Sequence, residues 1–179
     1  SYGPEMRGGT ANCSVCISDD PIGSPLVLNP DVLVVMNQPS LDKFEHSVQP
    51  GGLVIVDSTL VPRIPDMPGV TVCAVPATAL AEEAGLKGLA NVILVGKLFA
   101  ETRFCSEETI RAAVAAVVPA RKKDKLAGNL CAWSWVSRPS LRPISQADHM
   151  GARRVWRGVP GMRVQTALDI ASCALARVM

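Results

Sequence analysis

Aromatic residues are scarce in this sequence: three Trp, three Phe and one Tyr make up 4% of 179 residues. A core assembled by ring stacking is excluded, so burial must rest on Val, Leu, Ala and Ile within a hydrophobic content of 48%. Histidine is limited to His46 and His149, too few to complete a typical zinc set with scattered cysteines. No apolar run reaches the roughly 18 residues of a membrane span, and no signal peptide is legible. These absences predict a cytoplasmic chain with no membrane partner. The net charge of +2 offers no electrostatic footprint for nucleic acid. Also missing are a phosphate-cradling P-loop, a G-x-G-x-x-G turn and a C-x-x-C-x-x-C run for an iron–sulfur cluster. The chain opens on Ser1-Tyr2-Gly3-Pro4 without an initiating Met, which predicts that an N-terminal segment is missing.

What charge there is lies unevenly. Residues 1–136 carry 11 Lys and Arg against 14 Asp and Glu, and residues 137–179 carry 7 Arg, no Lys and 2 Asp. All three Trp (Trp133, Trp135, Trp156) fall near or beyond that boundary. The composition therefore separates an α/β domain over 1–136 from an Arg-, Pro- and Trp-containing tail over 137–179. In the tail, residues 137–160 show no period and predict no regular element packed in the core. Met162–Val178 regains a helical stripe (Val164, Leu168, Ala171, Leu175) and predicts a C-terminal helix.

Short apolar segments dominate the first part. Thr10–Ser18 reads as a strand, as do the continuous runs at 31–36, 53–56 and 70–75, the mark of strands covered on both faces. Between them lie a short helix through Glu45, capped by Ser40, and a helix capped by Thr78 and broken at Gly85. Leu89–Ala100 is an apolar helix, and Ser106 opens another whose stripe is Ile110, Ala113, Val114 and Val117. This alternation predicts a mostly parallel sheet with helices on both faces.

Six cysteines (13, 16, 73, 105, 131 and 173) sit in apolar contexts and read as reduced thiols. Cys13 and Cys16 form a C-x-x-C, but residues i and i+3 of a strand point to opposite faces, so one metal or disulfide cannot take both. At least one of the pair is expected to be buried. No nucleophile–base pair stands out, so no catalytic residue and no metal ligand is assigned. The candidate binding or interface residues are instead Tyr2, Gly3, Pro4, Glu5, Arg7, Gly8 and Gly9 before the first strand, and Asn37, Pro39, Ser40, Pro76 and Thr78 at strand ends. A glycine pair allows close backbone approach, and an arginine offers a planar fork for carboxylate or phosphate. Loops at the carboxyl ends of parallel strands are where such sheets bind ligands. The same residues could equally be an ordinary loop and ordinary helix caps.

Three strings point further: SYGPEMRGGTANCSVCISDDPIGSP, DVLVVMNQPSLDKFEHSVQPGGLVIVDSTLV and VCAVPATALAEEAGLKGLANVILVGKLFAET. Over residues 1–130 the chain resembles the gamma subunit of 2-oxoacid:ferredoxin oxidoreductases, nearest to the 2-oxoglutarate and branched-chain ketoacid members. The resemblance implies a Rossmann-like three-layer α/β/α domain. It also implies a role in an enzyme that decarboxylates a 2-oxoacid on thiamine diphosphate, reduces ferredoxin through iron–sulfur clusters and forms an acyl-CoA from CoA. Thiamine diphosphate, its Mg and the clusters are expected in partner alpha, beta and ferredoxin-like delta subunits, with no cofactor bound by this chain alone. On the resemblance, the Tyr2–Gly9 stretch meets a partner or CoA, with Arg7 and Glu5 as polar anchors.

Two departures accompany it. Members of that family normally begin with a strand and a G-x-G-G-Q-G loop ahead of the SYGPE stretch, so the sheet is expected to lack its first strand. After Asn129-Leu130 the tail matches nothing in the resemblance, as an unrelated extension or a shifted reading frame would. A stand-alone nucleotide-binding module and a truncated, nonfunctional paralogue are the alternative readings.

Overall fold

Two uninterrupted apolar runs form the middle of the sheet, because a strand covered on both sides has no face to give to water. The computed structural model describes residues 10–24, 26–117, 128, 130–131 and, for backbone alone, 162–167. Strand β1 is Cys13–Ile17, β2 is Val32–Val35 and β3 is Leu53–Asp57; every residue of β2 and β3 is buried. Helix α1 (Gln38–Phe44), continued by a 3-10 turn at Glu45–Ser47, links β2 to β3. Strand β4 (Thr71–Val75) is followed by α2 (Ala77–Glu83), α3 (Ala90–Thr102) and α4 (Glu107–Val117).

The five-stranded sheet has the order β1-β5-β2-β3-β4, where β5 is Met162–Ala167. Strands β5, β2, β3 and β4 run parallel and β1 runs antiparallel to β5. Alternate residues of the central strands feed two cores. Val32, Val34, Leu53, Ile55, Cys73 and Val75 pack with α2, α3 and Ile110 of α4. Leu33, Val35, Val54 and Val56 pack with Leu41 of α1 and with Val61. The architecture is thus the expected three-layer α/β/α with a mostly parallel sheet.

Several local expectations are corrected. Met162–Ala167 is strand rather than the start of a helix: Val164 and Thr166 are β-branched, and ladders on both sides outweigh a helical stripe read over so short a segment. The remainder of that predicted helix, 168–178, and the irregular 137–160 lie outside the described residues. Cys13 and Cys16 are both half-buried rather than one being buried, because among the described strands β1 lies at the edge of the sheet. Its unbroken five-residue ladder keeps the alternation that sends positions 13 and 16 to opposite faces.

Cys73 lies in the first core, and burial, reinforced by the charge of Glu101 and opposed by Lys97, pushes its thiol up to about 11. Unfolding returns the thiol to its ordinary value of 9.0. Stability from keeping the thiol neutral is therefore complete below about pH 9 and is lost as pH rises toward 11. Two units correspond to a loss of about 2–3 kcal/mol. Urea unfolding at pH 8.5 and pH 11 should show this decline, and Cys73→Ala should flatten it, whatever its own offset in stability.

Candidate functional site

Because β1 is antiparallel, its first residue lies where its neighbours end: Cys13 pairs with Thr166 while Val35 pairs with Ala167. Thr10 is tethered there by Lys43 of α1, whose Nζ donates to Thr10 Oγ1 at 3.0 Å. The carboxyl edge of the sheet consequently gathers four segments. They are the approach to β1, the β2–α1 turn at Met36–Ser40, the turn after β3 at Asp57–Val61, and the β4–α2 turn at Pro76–Thr78. This is the ligand-binding edge of open parallel sheets.

The β2–α1 turn is organised by Asn37, not by Ser40 as the sequence suggested. Asn37 Oδ1 accepts from the Ser40 N–H at 2.9 Å, and Pro39 occupies the first turn of α1, where its missing N–H costs nothing. Pro39 is exposed, whereas Ser40 is fully buried and its Oγ finds no hydrogen-bond partner among the described residues.

The β4–α2 turn is organised from a different strand. Thr78 does not cap α2; Pro76 stands at the cap position. Asp57, the last residue of β3 and 0% exposed, supplies the acceptors instead. Its Oδ2 accepts from the Thr78 hydroxyl at 2.6 Å and the Thr78 N–H at 3.2 Å, and its Oδ1 accepts from the Thr59 N–H at 3.0 Å. Thr59 Oγ1 in turn accepts from Ala79 N–H at 3.2 Å, and Ser58 N–H donates to Val75 O at 2.9 Å. An aspartate with amide and hydroxyl donors at a helix start is favourable both as a cap and for the helix dipole.

The same edge is braced against α1. Arg63 Nη2 donates to Asp42 Oδ1 at 2.6 Å and Glu45 Oε2 at 2.9 Å, while its N–H donates to Gln38 Oε1 at 3.2 Å. The guanidinium of Arg63, then the amide of Gln38, holds the Asp42 carboxyl below the usual carboxylate range. Asp42, then Glu45, raises Arg63 further above its already high value. Both shifts favour the charged forms of Asp42 and Arg63.

The structure thus brings Asn37, Pro39, Ser40, Pro76 and Thr78 to one edge, but most of their polar atoms serve the fold. Tyr2, Gly3, Pro4, Glu5, Arg7, Gly8 and Gly9 lie outside the described residues; Gly9 is bonded to Thr10, which stands at that edge. Sequence reasoning missed Asp57 and Arg63. Asp57 had a signal, a lone acid closing the apolar run Leu53–Val56; Arg63 had none. No group of three or more His, Cys, Asp or Glu able to hold a metal comes together among the described residues. No helix among the described residues is long and apolar enough to cross a membrane.

Residues 1–133 match the family model described as pyruvate ferredoxin/flavodoxin oxidoreductase. The chain belongs to this family. It is 39% identical over 137 residues to the 2-oxoglutarate synthase subunit KorC of Methanocaldococcus jannaschii, a match covering 75% of this chain and 71% of that one. It is 44% identical over 100 residues to the ketoisovalerate oxidoreductase subunit VorA of Methanothermobacter thermautotrophicus, covering 56% of this chain but only 20% of VorA. Among solved structures, the keto/oxoacid ferredoxin oxidoreductase gamma subunit of Geobacter sulfurreducens superposes with a TM-score of 0.53 at 27% identity, over 58% of this chain and 60% of that one. The chain is therefore homologous to gamma-type subunits of an oxidoreductase family. Its family match stops at 133, so β5 is supplied from outside the matched region.

Proposed function

We propose that this chain is the gamma subunit of a 2-oxoacid:ferredoxin oxidoreductase acting on 2-oxoglutarate or a branched-chain 2-oxoacid. The enzyme would convert the oxoacid and CoA to acyl-CoA and CO2 and reduce ferredoxin. The observation that carries this reading is the 39% identity to KorC across seven-tenths of its length. The position of Thr10 at the carboxyl edge supports the choice of the preceding Tyr2–Gly9 stretch as the contact, since most of the described polar atoms of that edge already serve the fold. In this reading the chain works in the cytoplasm and completes the enzyme by packing on alpha, beta and ferredoxin-like delta subunits. Those partners hold thiamine diphosphate, Mg and the iron–sulfur clusters, and CoA enters as co-substrate.

Arg7 and Glu5 are the polar anchors of the contact, Arg7 toward a partner carboxylate or a CoA phosphate. The test is reconstitution. The isolated chain should be colourless and inactive, and the tagged chain should recover partners containing thiamine diphosphate and clusters. A brown isolated chain, or turnover by it with thiamine diphosphate and CoA alone, would refute the assignment. In the complex, Arg7→Ala should weaken assembly or raise the KM for CoA by about 1.5–3 kcal/mol, the worth of a charge-assisted hydrogen bond. Unchanged assembly and CoA use would remove Arg7 from the site.

A further inference from the structure

The sheet is assembled from two origins. Residues 1–133 match the family model and contain β1, β2, β3 and β4, whereas β5 at Met162–Ala167 lies beyond the match. Yet β5 is no addition at the rim. It stands between β1 and β2 in the order β1-β5-β2-β3-β4. Val164, Gln165 and Thr166 pair on both sides, with Val15, Ser14 and Cys13 of β1 and with Val32, Leu33 and Val34 of β2. The family-matched residues therefore build both walls of a slot, and a segment from outside them fills it.

Those walls cannot stand bare. Val32–Val35 is buried throughout, and a buried backbone N–H or C=O without a partner costs about as much as a lost hydrogen bond. Two open ladders facing each other are also a template for any extended chain. The bonds that close them come from main-chain groups, which every residue except proline carries in full. Such a slot selects its occupant by direction, extended shape and register, and only secondarily by sequence. The direction is set by the walls: the occupant runs parallel to β2 and antiparallel to β1.

We propose that the gap between β1 and β2 is a strand-acceptor site whose ligand is an extended peptide, and that residues 162–167 occupy it as an exchangeable ligand carried on the same chain. Tethering favours this occupant over the same segment of a second copy, because an intramolecular strand has an effective concentration that a free copy reaches only in concentrated solution. The segment is then a part of the domain rather than an unrelated extension: it supplies the strand that the family-matched residues do not.

Register makes the site testable, because β1 carries two native cysteines: Cys13 is opposite Thr166 and Cys16 is opposite Arg163. Opposed residues of an antiparallel pair have Cα atoms about 4.5 or 5.5 Å apart, within the reach of a disulfide. In the full chain, Thr166→Cys should on mild oxidation link to Cys13 within one molecule. A linked dimer would assign the slot to a second copy, and no link would empty it of residues 162–167; either result overturns the proposal. Exchange is read with peptides of residues 160–169 bearing an activated disulfide at one replaced position, which passes to a protein thiol and releases its own leaving thiol. The Thr166→Cys peptide should capture Cys13 and the Arg163→Cys peptide Cys16, each about tenfold faster than the Gln165→Cys peptide captures either, since a one-residue slip sends side chains to the other face. Val164→Pro in the full chain should speed both captures by about a hundredfold, because capture waits on β5 leaving. The oxidised Thr166→Cys chain should resist capture at Cys16. Where the proline variant fails to fold, register dependence in the parent chain decides alone. Capture without register preference, or none by any peptide, as when β1 closes directly onto β2, would overturn the acceptor site. No partner subunit takes part, so the outcome is separate from the gamma-subunit reading.

Discussion

Val164→Pro is expected to detach β1 from the sheet while leaving β2, β3 and β4 in place. Val164 is in register with Val15 on one side and Val32 on the other, and among the described strands β1 pairs only with β5. Proline removes a ladder donor, and its ring crowds the neighbouring strand, which is why it is confined to sheet edges. The combined loss should be about 2–4 kcal/mol, a large share of the 5–15 kcal/mol typical of a domain. Hydrogen exchange reads the effect locally. Amides of Val15 and Cys16 should lose protection by about a hundredfold, while those of Leu53–Val56 remain slow. Unchanged protection at Val15 would show that β5 does not hold β1.

Asp57→Ala should be comparably damaging from the opposite side of the sheet. The substitution leaves the Thr78 hydroxyl, the Thr78 N–H and the Thr59 N–H without the acceptor that joins the β3 and β4 turns. Hydrogen bonds to a buried charged group are worth about 1.5–3 kcal/mol each, but the turns can relax toward water, so a net loss of about 3 kcal/mol is expected. For a chain of this size that lowers Tm by roughly 6–12 °C. Asp57→Asn keeps one carbonyl acceptor and should recover about half of the loss. An Asn variant as unstable as the Ala variant would show that the negative charge at the start of α2, rather than the count of acceptors, stabilises the turn.

The parts of this fold that were legible in the sequence are those decided by local chemistry. Val32–Val35 and Leu53–Val56 read as strands covered on both faces because nothing in them tolerates water. Helices α3 and α4 were legible from their apolar faces, and the close of α2 from Gly85, whose φ of 68° suits glycine. The caps were not. Ser40 and Thr78 have the right chemistry for caps, but Asn37 lies closer to its helix start. Asp57 reaches Thr78 from 21 residues away, a distance over which sequence carries no pairing signal.

By itself the sequence determined the aliphatic core, the run of short strands and helices up to α4, and the strings that ally residues 1–130 with gamma-type subunits. Each of these is encoded within a few consecutive residues. The tertiary structure alone decided that β1 runs antiparallel, so that Thr10 stands at the carboxyl edge. It alone placed β5 between β1 and β2. The physical reason is that ladder hydrogen bonds are made by backbone groups common to every residue. Strand order and direction therefore follow from which arrangement of the whole chain buries the most apolar surface with its polar groups satisfied.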